Sequence, residues 1–319
     1  MKNKLQLIGL GTAALGRPQY INLRQEEEKA FELEIFKAHG TSILEEAYAQ
    51  GIRYFDTAPS YGMAEQLLLD WVTEKRYQDV EIATKWGYTY VANFDPEATV
   101  HEVKEHSLDK LNEQWQQSQK LHPFLSGYQI HSATFESGIF EHVDALDRLW
   151  ELKNKNGLLI GLTSSGANQK EIIEKAIEFE RDGRPLFDLF QVTYNVLDQS
   201  LFDIIRALTG LNKRVVVKEA LANGRIFPNL NLPHYADLYR ELSHLAEKYK
   251  VGIDAIALRF CMDSITPFVV LSGASDKMHI SDNLKANDFT LSEKEVALLK
   301  TFNIPPKQYW QERSQLAWN

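Results

Sequence analysis

The sequence predicts an α/β fold, a single-domain (β/α)8 TIM barrel over residues 1–319. Three observations predict it. The chain has 319 residues, which suits one barrel of roughly 250 residues with insertions. Eight short apolar runs alternate with segments of helical spacing, the pattern of parallel βαβ units. No stretch rich in Pro, Gly or Ser divides the chain, and no low-complexity tract or short repeat appears. Eight strands close a barrel, whereas a doubly wound sheet commonly has about five or six.

The apolar runs lie around Leu5–Leu10, Tyr54–Asp56, Glu81–Thr84, Gly127–His131, Leu158–Leu162, Leu189–Val192, Val215–Lys218 and Phe268–Leu271. Several are near-continuous in apolar residues, as befits strands buried on both faces. Helical spacing begins at Ser42–Gln50. Ser42 with Glu45 three residues on reads as a capping box, and Gly51 as the stop. It recurs at Ala64–Glu74, Thr99–Lys120, Phe140–Lys155, Gln169–Arg181, Leu201–Leu208, Ala236–Tyr249 and Lys277–Lys285. Three further helical segments are additional to the barrel: the charged Leu23–His39, Gly252–Asp263 before the last strand, and Ser292–Phe302 near the end.

Composition narrows the function. Hydrophobic residues make up 44% and charged residues 25%, enough for a sizeable core and unlike a disordered chain. A net charge of −9 argues against nucleic acid or an anionic membrane as partner and leaves room for a local basic pocket that holds a phosphate. A lone cysteine, Cys261, cannot form an intrachain disulfide and fits a reducing, cytoplasmic setting. Lys2 and Lys4 before the run Leu5–Gly16 faintly resemble a signal peptide. The run carries three glycines and no evident cleavage site follows it, so a first strand and loop is the expectation. No apolar stretch approaches the roughly 18 residues that span a bilayer. The nine histidines show no H-E-x-x-H or similar spacing, so no metal is expected.

Gly9-Leu10-Gly11 invites a dinucleotide fingerprint, but Ala14 stands at the third glycine's place. Arg17 and Pro18 interrupt any helix, and no acidic residue ends a second strand about 20 residues on. The plainer reading is a first strand running into a glycine-rich loop.

Polar residues gather at the ends of three consecutive strands. The second run ends Phe55-Asp56-Thr57-Ala58-Pro59-Ser60-Tyr61-Gly62, the third Ala83-Thr84-Lys85, and the fourth Gln129-Ile130-His131. In a barrel those ends share one face, where the active site lies. Singly, each has a plain reading. The aspartate could cap a turn, the lysine could be solvated, the histidine could be structural and the tyrosine could pack. Together, on successive strand ends, they call for a chemical reason.

F-D-T-A-x-x-Y-G, A-T-K and Q-I-H, in this order, resemble the catalytic tetrad of the aldo-keto reductases. Ile160-Gly161-Leu162-Thr163, Phe190-Gln191-Val192-Thr193-Tyr194-Asn195 and Ala220-Leu221-Ala222-Asn223-Gly224 resemble later parts of that family. The resemblance implies an enzyme that passes a hydride between NADP(H) or NAD(H) and an aldehyde, ketone or alcohol, with aldoses among the candidate substrates. Charge builds on the carbonyl oxygen as hydride arrives, so a proton donor is needed. A phenol titrates near 10, and a nearby ammonium lowers that. The resemblance makes Tyr61 the general acid/base, Lys85 its modulator, Asp56 the partner of Lys85, and His131 the residue that orients the substrate.

The same resemblance places Thr163, Ser164 and Gln191 at the nicotinamide carboxamide. An aromatic often follows strand seven to stack on the ring; here the position holds Lys218, followed by Glu219. After strand eight, Ser272, Gly273, Ala274, Ser275, Lys277, His279, Asp282 and Asn283 fall where the family holds the adenosine end. The usual arginine is replaced by His279, which cannot make a bidentate contact with a 2′-phosphate. Asp276 would repel one and Lys277 would attract it, so NAD(H) and NADP(H) both stay open. Two other readings compete. One is a nicotinamide-binding regulatory subunit like the potassium-channel β subunits. The other is a non-redox barrel enzyme that uses Lys85 as a Schiff-base amine. Substrate choice falls to the loops Gly87–Asp95, Phe135–Ile139 and Asn223–Pro233. Trp86, Tyr88, Tyr90, Phe94 and Phe227 either line the pocket or cover the barrel mouth.

Overall fold

The computed structural model describes residues 7–18, 32–95 and 98–317. Eight parallel strands close into a barrel: β1 (Ile8–Gly11), β2 (Tyr54–Asp56), β3 (Glu81–Trp86), β4 (Leu125–Ala133), β5 (Leu159–Ser164), β6 (Leu189–Thr193), β7 (Arg214–Lys218) and β8 (Val269–Ser272). Each strand pairs with the next in sequence, and β8 closes on β1 through Ile8 opposite Val270. The barrel interior is filled by Tyr54, Ala83, Leu189, Val216, Val269 and Leu271. The larger apolar layer lies between strands and helices. A barrel buried on both sides is why the strands read as near-continuous apolar runs. At the N-terminal ends of the strands, Glu81 and Arg214 form an ion pair. The Arg214 guanidinium lies 4.4 Å from the Phe268 ring centroid.

Most expected helices stand within a few residues of their predicted limits, but three readings need correction. Ser42 does not start a helix. It lies within the continuous helix Leu33–Ala49, where its hydroxyl donates to the His39 carbonyl at 2.8 Å. The charged segment and the first barrel helix are thus one element from Leu33 onward, while residues 23–31 lie outside the described residues. Gly40, inside this helix, lets Leu67 pack close, because a Cβ there would sit 2.7 Å from Leu67 Cδ2.

Thr99–Lys120 is not one helix. Glu102–Lys104 pairs antiparallel with Tyr88–Tyr90, and the helix runs over Leu108–Ser118, where the Ser107 hydroxyl accepts from the Lys110 amide. The β-branched Thr99, Val100 and Val103 favour extended backbone over helix. Gln169–Arg181 stops as a helix at Ile177. Its end turns into a small hairpin of Glu180–Arg181 and Arg184–Pro185, with Asp182 (φ 54°) and Gly183 (φ 68°) at the turn.

The late additions appear as Ile253–Ile265 and Glu293–Lys300, the latter opened by a capping box between Ser292 and Glu295. The sequence reading missed a last helix, Pro306–Ser314; proline at its first position was the available signal. No helix among the described residues is long and apolar enough to cross a membrane.

Candidate active site

The C-terminal ends of β2, β3 and β4 bring the expected residues together. Lys85 is fully buried, and its Nζ donates to Asp56 Oδ1 at 2.5 Å and to the Thr57 carbonyl at 2.9 Å. The same Nζ lies 4.6 Å from the Tyr61 ring centroid. The Tyr61 and His131 rings stand edge to face, with centroids 5.6 Å apart. Gln191 Nε2 donates to Asp56 Oδ2 at 2.7 Å and Gln129 Nε2 does so at 3.5 Å. Asp56 therefore has no freedom to turn from Lys85.

Tyr61 is placed by the loop from β1. A Cβ on Gly16 would meet the Tyr61 carbonyl at 1.9 Å, so only glycine lets the two loops touch. The Met63 amide donates to the Gly16 carbonyl at 2.9 Å. Arg17, buried, donates to the Ser60 carbonyl at 3.2 Å and pairs with Glu102 at 3.0 Å. Its guanidinium lies 5.4 Å from the Tyr61 ring centroid. His131 is held through its backbone. Its carbonyl meets His106 Nε2 at 2.9 Å, and the next residue, Ser132 (φ 49°), is clasped at its amide by Thr163 Oγ1 and at its carbonyl by Lys104 Nζ.

The electrostatics assign protons. Burial pushes the Tyr61 phenol well above its ordinary value; Asp56 and Glu102 add to this and Arg17 opposes it. The direction is opposite to that expected from an ammonium alone. The Lys85 charge is already matched by Asp56, and the phenol is desolvated. Tyr61 thus keeps its proton at neutral pH, as an acid must. Burial holds His131 well below its ordinary value, and the charges of Lys85, Arg17 and Lys218 push the same way. The imidazole is neutral and can donate one hydrogen bond.

The residues expected at the cofactor fall into two groups. Around β5 to β7 they are engaged within the protein. Thr163 serves Ser132, Ser164 Oγ donates to Gln169 Oε1 at 3.3 Å, and Gln191 serves Asp56. After β8, Gly273, Lys277 and His279 are exposed. Ser272 Oγ donates to Asn283 Oδ1 at 2.7 Å, the Asn283 amide reaches Asp254, and Asp282 pairs with Lys285. His39 Nε2 meets the Ser275 carbonyl at 2.7 Å, and Ala274 is buried. Asp276 caps the helix Lys277–Leu284, accepting from the amides of Met278 and His279.

Of the aromatic residues, Tyr88 joins the site with its ring centroid 4.8 Å from that of His131. Trp86 is buried, and Phe227 packs against the main core. Tyr90 and Phe94 lie together on the hairpin side. Arg17, His106 and Arg313 were given no site role from the sequence, since no motif carries them, and Gln129 was read only as part of Q-I-H. No group of three or more possible metal ligands occurs among the described residues.

The aldo/keto reductase family model matches residues 7–304. The chain belongs to the aldo/keto reductase family. Within the family it resembles YqkF of Bacillus subtilis, an uncharacterized oxidoreductase. They are 30% identical over 179 residues, which cover 53% of this chain but only 48% of that protein. The holo form of an aldo-keto reductase from Bacillus halodurans shares the fold at a TM-score of 0.67, with 20% identity over 98% of this chain and 93% of that one. A Bombyx mori aldo-keto reductase in complex with NADP gives 0.61, at 19% identity over 93% and 89%. Aldo/keto reductase membership fits an oxidoreductase that uses a nicotinamide cofactor on small carbonyl compounds.

Proposed function

We propose that this chain reduces an aldehyde or ketone, or oxidises the corresponding alcohol, with Tyr61 as general acid/base. One observation carries the reading: a fully buried Lys85 ammonium lies between the Asp56 carboxylate and the Tyr61 ring, with a neutral His131 beside it. The Tyr61 hydroxyl gives its proton to the substrate oxygen, and the neighbouring ammonium favours the phenolate that remains. Asp56 fixes the ammonium. His131 donates a hydrogen bond that orients the same oxygen. Pairing with Asp56 and full burial withhold the Lys85 nitrogen from the attack that a Schiff base needs. A complete set of proton-handling groups favours catalysis over a regulatory role.

The residues fit a dinucleotide. Thr163, Ser164 and Gln191 offer hydroxyl and amide groups suited to a carboxamide. Ser272 to Ser275, Lys277, His279, Asp282 and Asn283 would hold the adenosine end. When bound, the reduced nicotinamide supplies the hydride. The fit to a 2′-phosphate is poorer, because the Asp276 carboxylate takes the helix N-terminal amides that an anion would use. We therefore assign weak discrimination between NADP(H) and NAD(H). A reducing compartment, the cytoplasm, suits the buried Cys261, whose thiol burial pushes well up. The test is steady-state turnover with both cofactors against aldoses, aldehydes and ketones. Absence of turnover with every pair would sink the reading.

A further inference from the structure

We propose that Lys218 anchors an anionic group of the substrate, so that the preferred substrate is a carbonyl compound that also carries a carboxylate or phosphate. The proposal rests on the carbonyl-reductase reading above and names its substrate class.

Lys218 ends β7, in register with Thr193 at the end of β6. Its Nζ donates to Thr193 Oγ1 at 2.9 Å and to Ser165 Oγ at 3.4 Å, and lies 5.8 Å from the Trp310 ring centroid. Ser165 Oγ is 3.3 Å from Ser132 Oγ, next in sequence to His131. A rim of hydroxyls thus joins the lysine to the proton-transfer groups across one barrel mouth.

The buried cations have carboxylate partners: Lys85 has Asp56, Arg17 has Glu102 and Arg225 has Glu312, and the half-buried Arg313 has Glu219. Among the described residues, no carboxylate is in ion-pair contact with Lys218. Its chain neighbour Glu219 turns to Arg313, whose Nη2 and Nε lie 2.6 and 2.8 Å from Oε1. Glu219 meets Lys218 only through the Thr193 hydroxyl, at 3.4 Å. A half-buried ammonium held by hydroxyl oxygens has its charge unmatched, and an anion that completes its shell is bound correspondingly well.

The surrounding charges agree. Burial brings the Lys218 ammonium down to about 8; Arg313 and Lys85 push the same way, while Glu219 and Asp198 oppose. Asp198 is engaged by Ser200 and Gln169, and His131 is neutral. The exposed Lys277 and His279, which suit cofactor phosphates, follow β8 instead. Three strand spacings of about 4.8 Å separate β4 from β7 along the wall. The lysine side chain narrows that gap, so the carbonyl and the anion sit at opposite ends of an aryl or short-chain substrate. The reaction is unchanged. The carbonyl carbon gains the hydride, its oxygen gains the Tyr61 proton, and the anionic group leaves unaltered.

The experiment compares kcat/KM for 4-carboxybenzaldehyde with benzaldehyde, and for glyceraldehyde 3-phosphate with glyceraldehyde, in wild type, Lys218→Met and Lys218→Arg. The two pairs separate carboxylate from phosphate. Each ratio cancels changes in cofactor binding common to both substrates. For at least one pair the wild type favours the anion, and the ratio falls at least about tenfold in Lys218→Met and less in Lys218→Arg. The wild-type ratio also declines as pH rises through about 8 and is flat with pH in Lys218→Met.

Ratios unchanged in Lys218→Met, or flat with pH in wild type, overturn the proposal. So does a variant in which only NADP(H) affinity changes. Calorimetric titration of the cofactor-loaded protein with 4-carboxybenzyl alcohol and with glycerol 3-phosphate reads the same contact without turnover. At least about tenfold weaker binding of one of them in Lys218→Met supports the anchor, and equal binding of both overturns it. Binding of this kind without turnover of any aldehyde would count against the reductase reading alone.

Discussion

Replacing Lys85 with methionine should cost more stability than any surface change, because it strands a charge. Asp56 and Lys85 have side chains 3% and 0% exposed, paired at 2.5 Å. Without the ammonium, the Asp56 carboxylate keeps only Gln191 at 2.7 Å and Gln129 at 3.5 Å. Breaking a buried pair on one side costs about 3–5 kcal/mol, whereas replacing both partners is often close to neutral. For a chain of this size each 1 kcal/mol moves the melting temperature by about 2 °C. Lys85→Met should therefore melt about 6–10 °C below wild type. The double variant Asp56→Asn with Lys85→Met should recover most of that loss while remaining inactive. The assay is thermal unfolding followed by circular dichroism, beside turnover with the best substrate found. A single variant that melts with wild type, or a double variant as unstable as the sum of the singles, would refute the uncompensated-charge argument.

Three further outcomes are expected. Tyr61→Phe should lose at least about 10²-fold in kcat with cofactor affinity unchanged, since it removes only the proton; undiminished kcat would assign the proton to another group. Burial raises Glu65 from 4.5 to about 7 although the hydroxyls of Thr84 and Ser118 donate to it. A carboxyl raised in the folded state contributes stability at low pH and loses it as pH climbs through the folded value. Relative to Glu65→Gln, wild type should lose up to about 3 kcal/mol between about pH 4.5 and 7 and little beyond, read from urea midpoints at each pH; a constant difference would count against this. Asp276→Asn keeps a side-chain oxygen for the helix cap and removes its charge, worth on the order of 1 kcal/mol at a surface site. Fluorescence titration should show NADP(H) binding tightened about threefold to tenfold relative to NAD(H), and no change would place the 2′ end elsewhere.

The chemistry half of the site was legible because it is local to strand ends. Asp56, Lys85 and His131 each close an apolar run, and a parallel barrel turns such ends to one face. Arg17 was invisible for the opposite reason. It is a lone arginine in a loop, and its role comes from contacts with Ser60 and Glu102, 43 and 85 residues away in sequence. Ser42 misled because a capping box is a local pattern, while the helix Leu33–Ala49 is set by packing of Ile43, Leu44 and Ala47 against the barrel. Thr99–Lys120 misled because a polar helix and a short hairpin strand share residues of both periods. The hydrogen bond from the Gln191 amide nitrogen to Asp56 is an orientation that spacing along a strand cannot specify.

The other half of the site is assembled by distant chain. Just after β7, Glu219, Ala222 and Asn223 all take left-handed backbone, with φ of 56°, 48° and 55°. Each such residue costs on the order of 1–3 kcal/mol and persists only where its surroundings enforce it. The late helix Pro306–Ser314 supplies that enforcement. Arg313 grips Glu219 through two nitrogens, the Tyr309 hydroxyl accepts from Asn195, and the Tyr309 carbonyl accepts from the buried Arg225. By holding Glu219 on Arg313, the helix also keeps that carboxylate from neutralising Lys218 directly. The proton-transfer groups at and just after β2 to β4 are fixed instead by Gly16, Arg17, His106 and Gln191, none of them on that helix. The charge that would select the substrate depends on the chain's last turns folding back, so substrate preference can change with the tail while the proton chemistry stays in place.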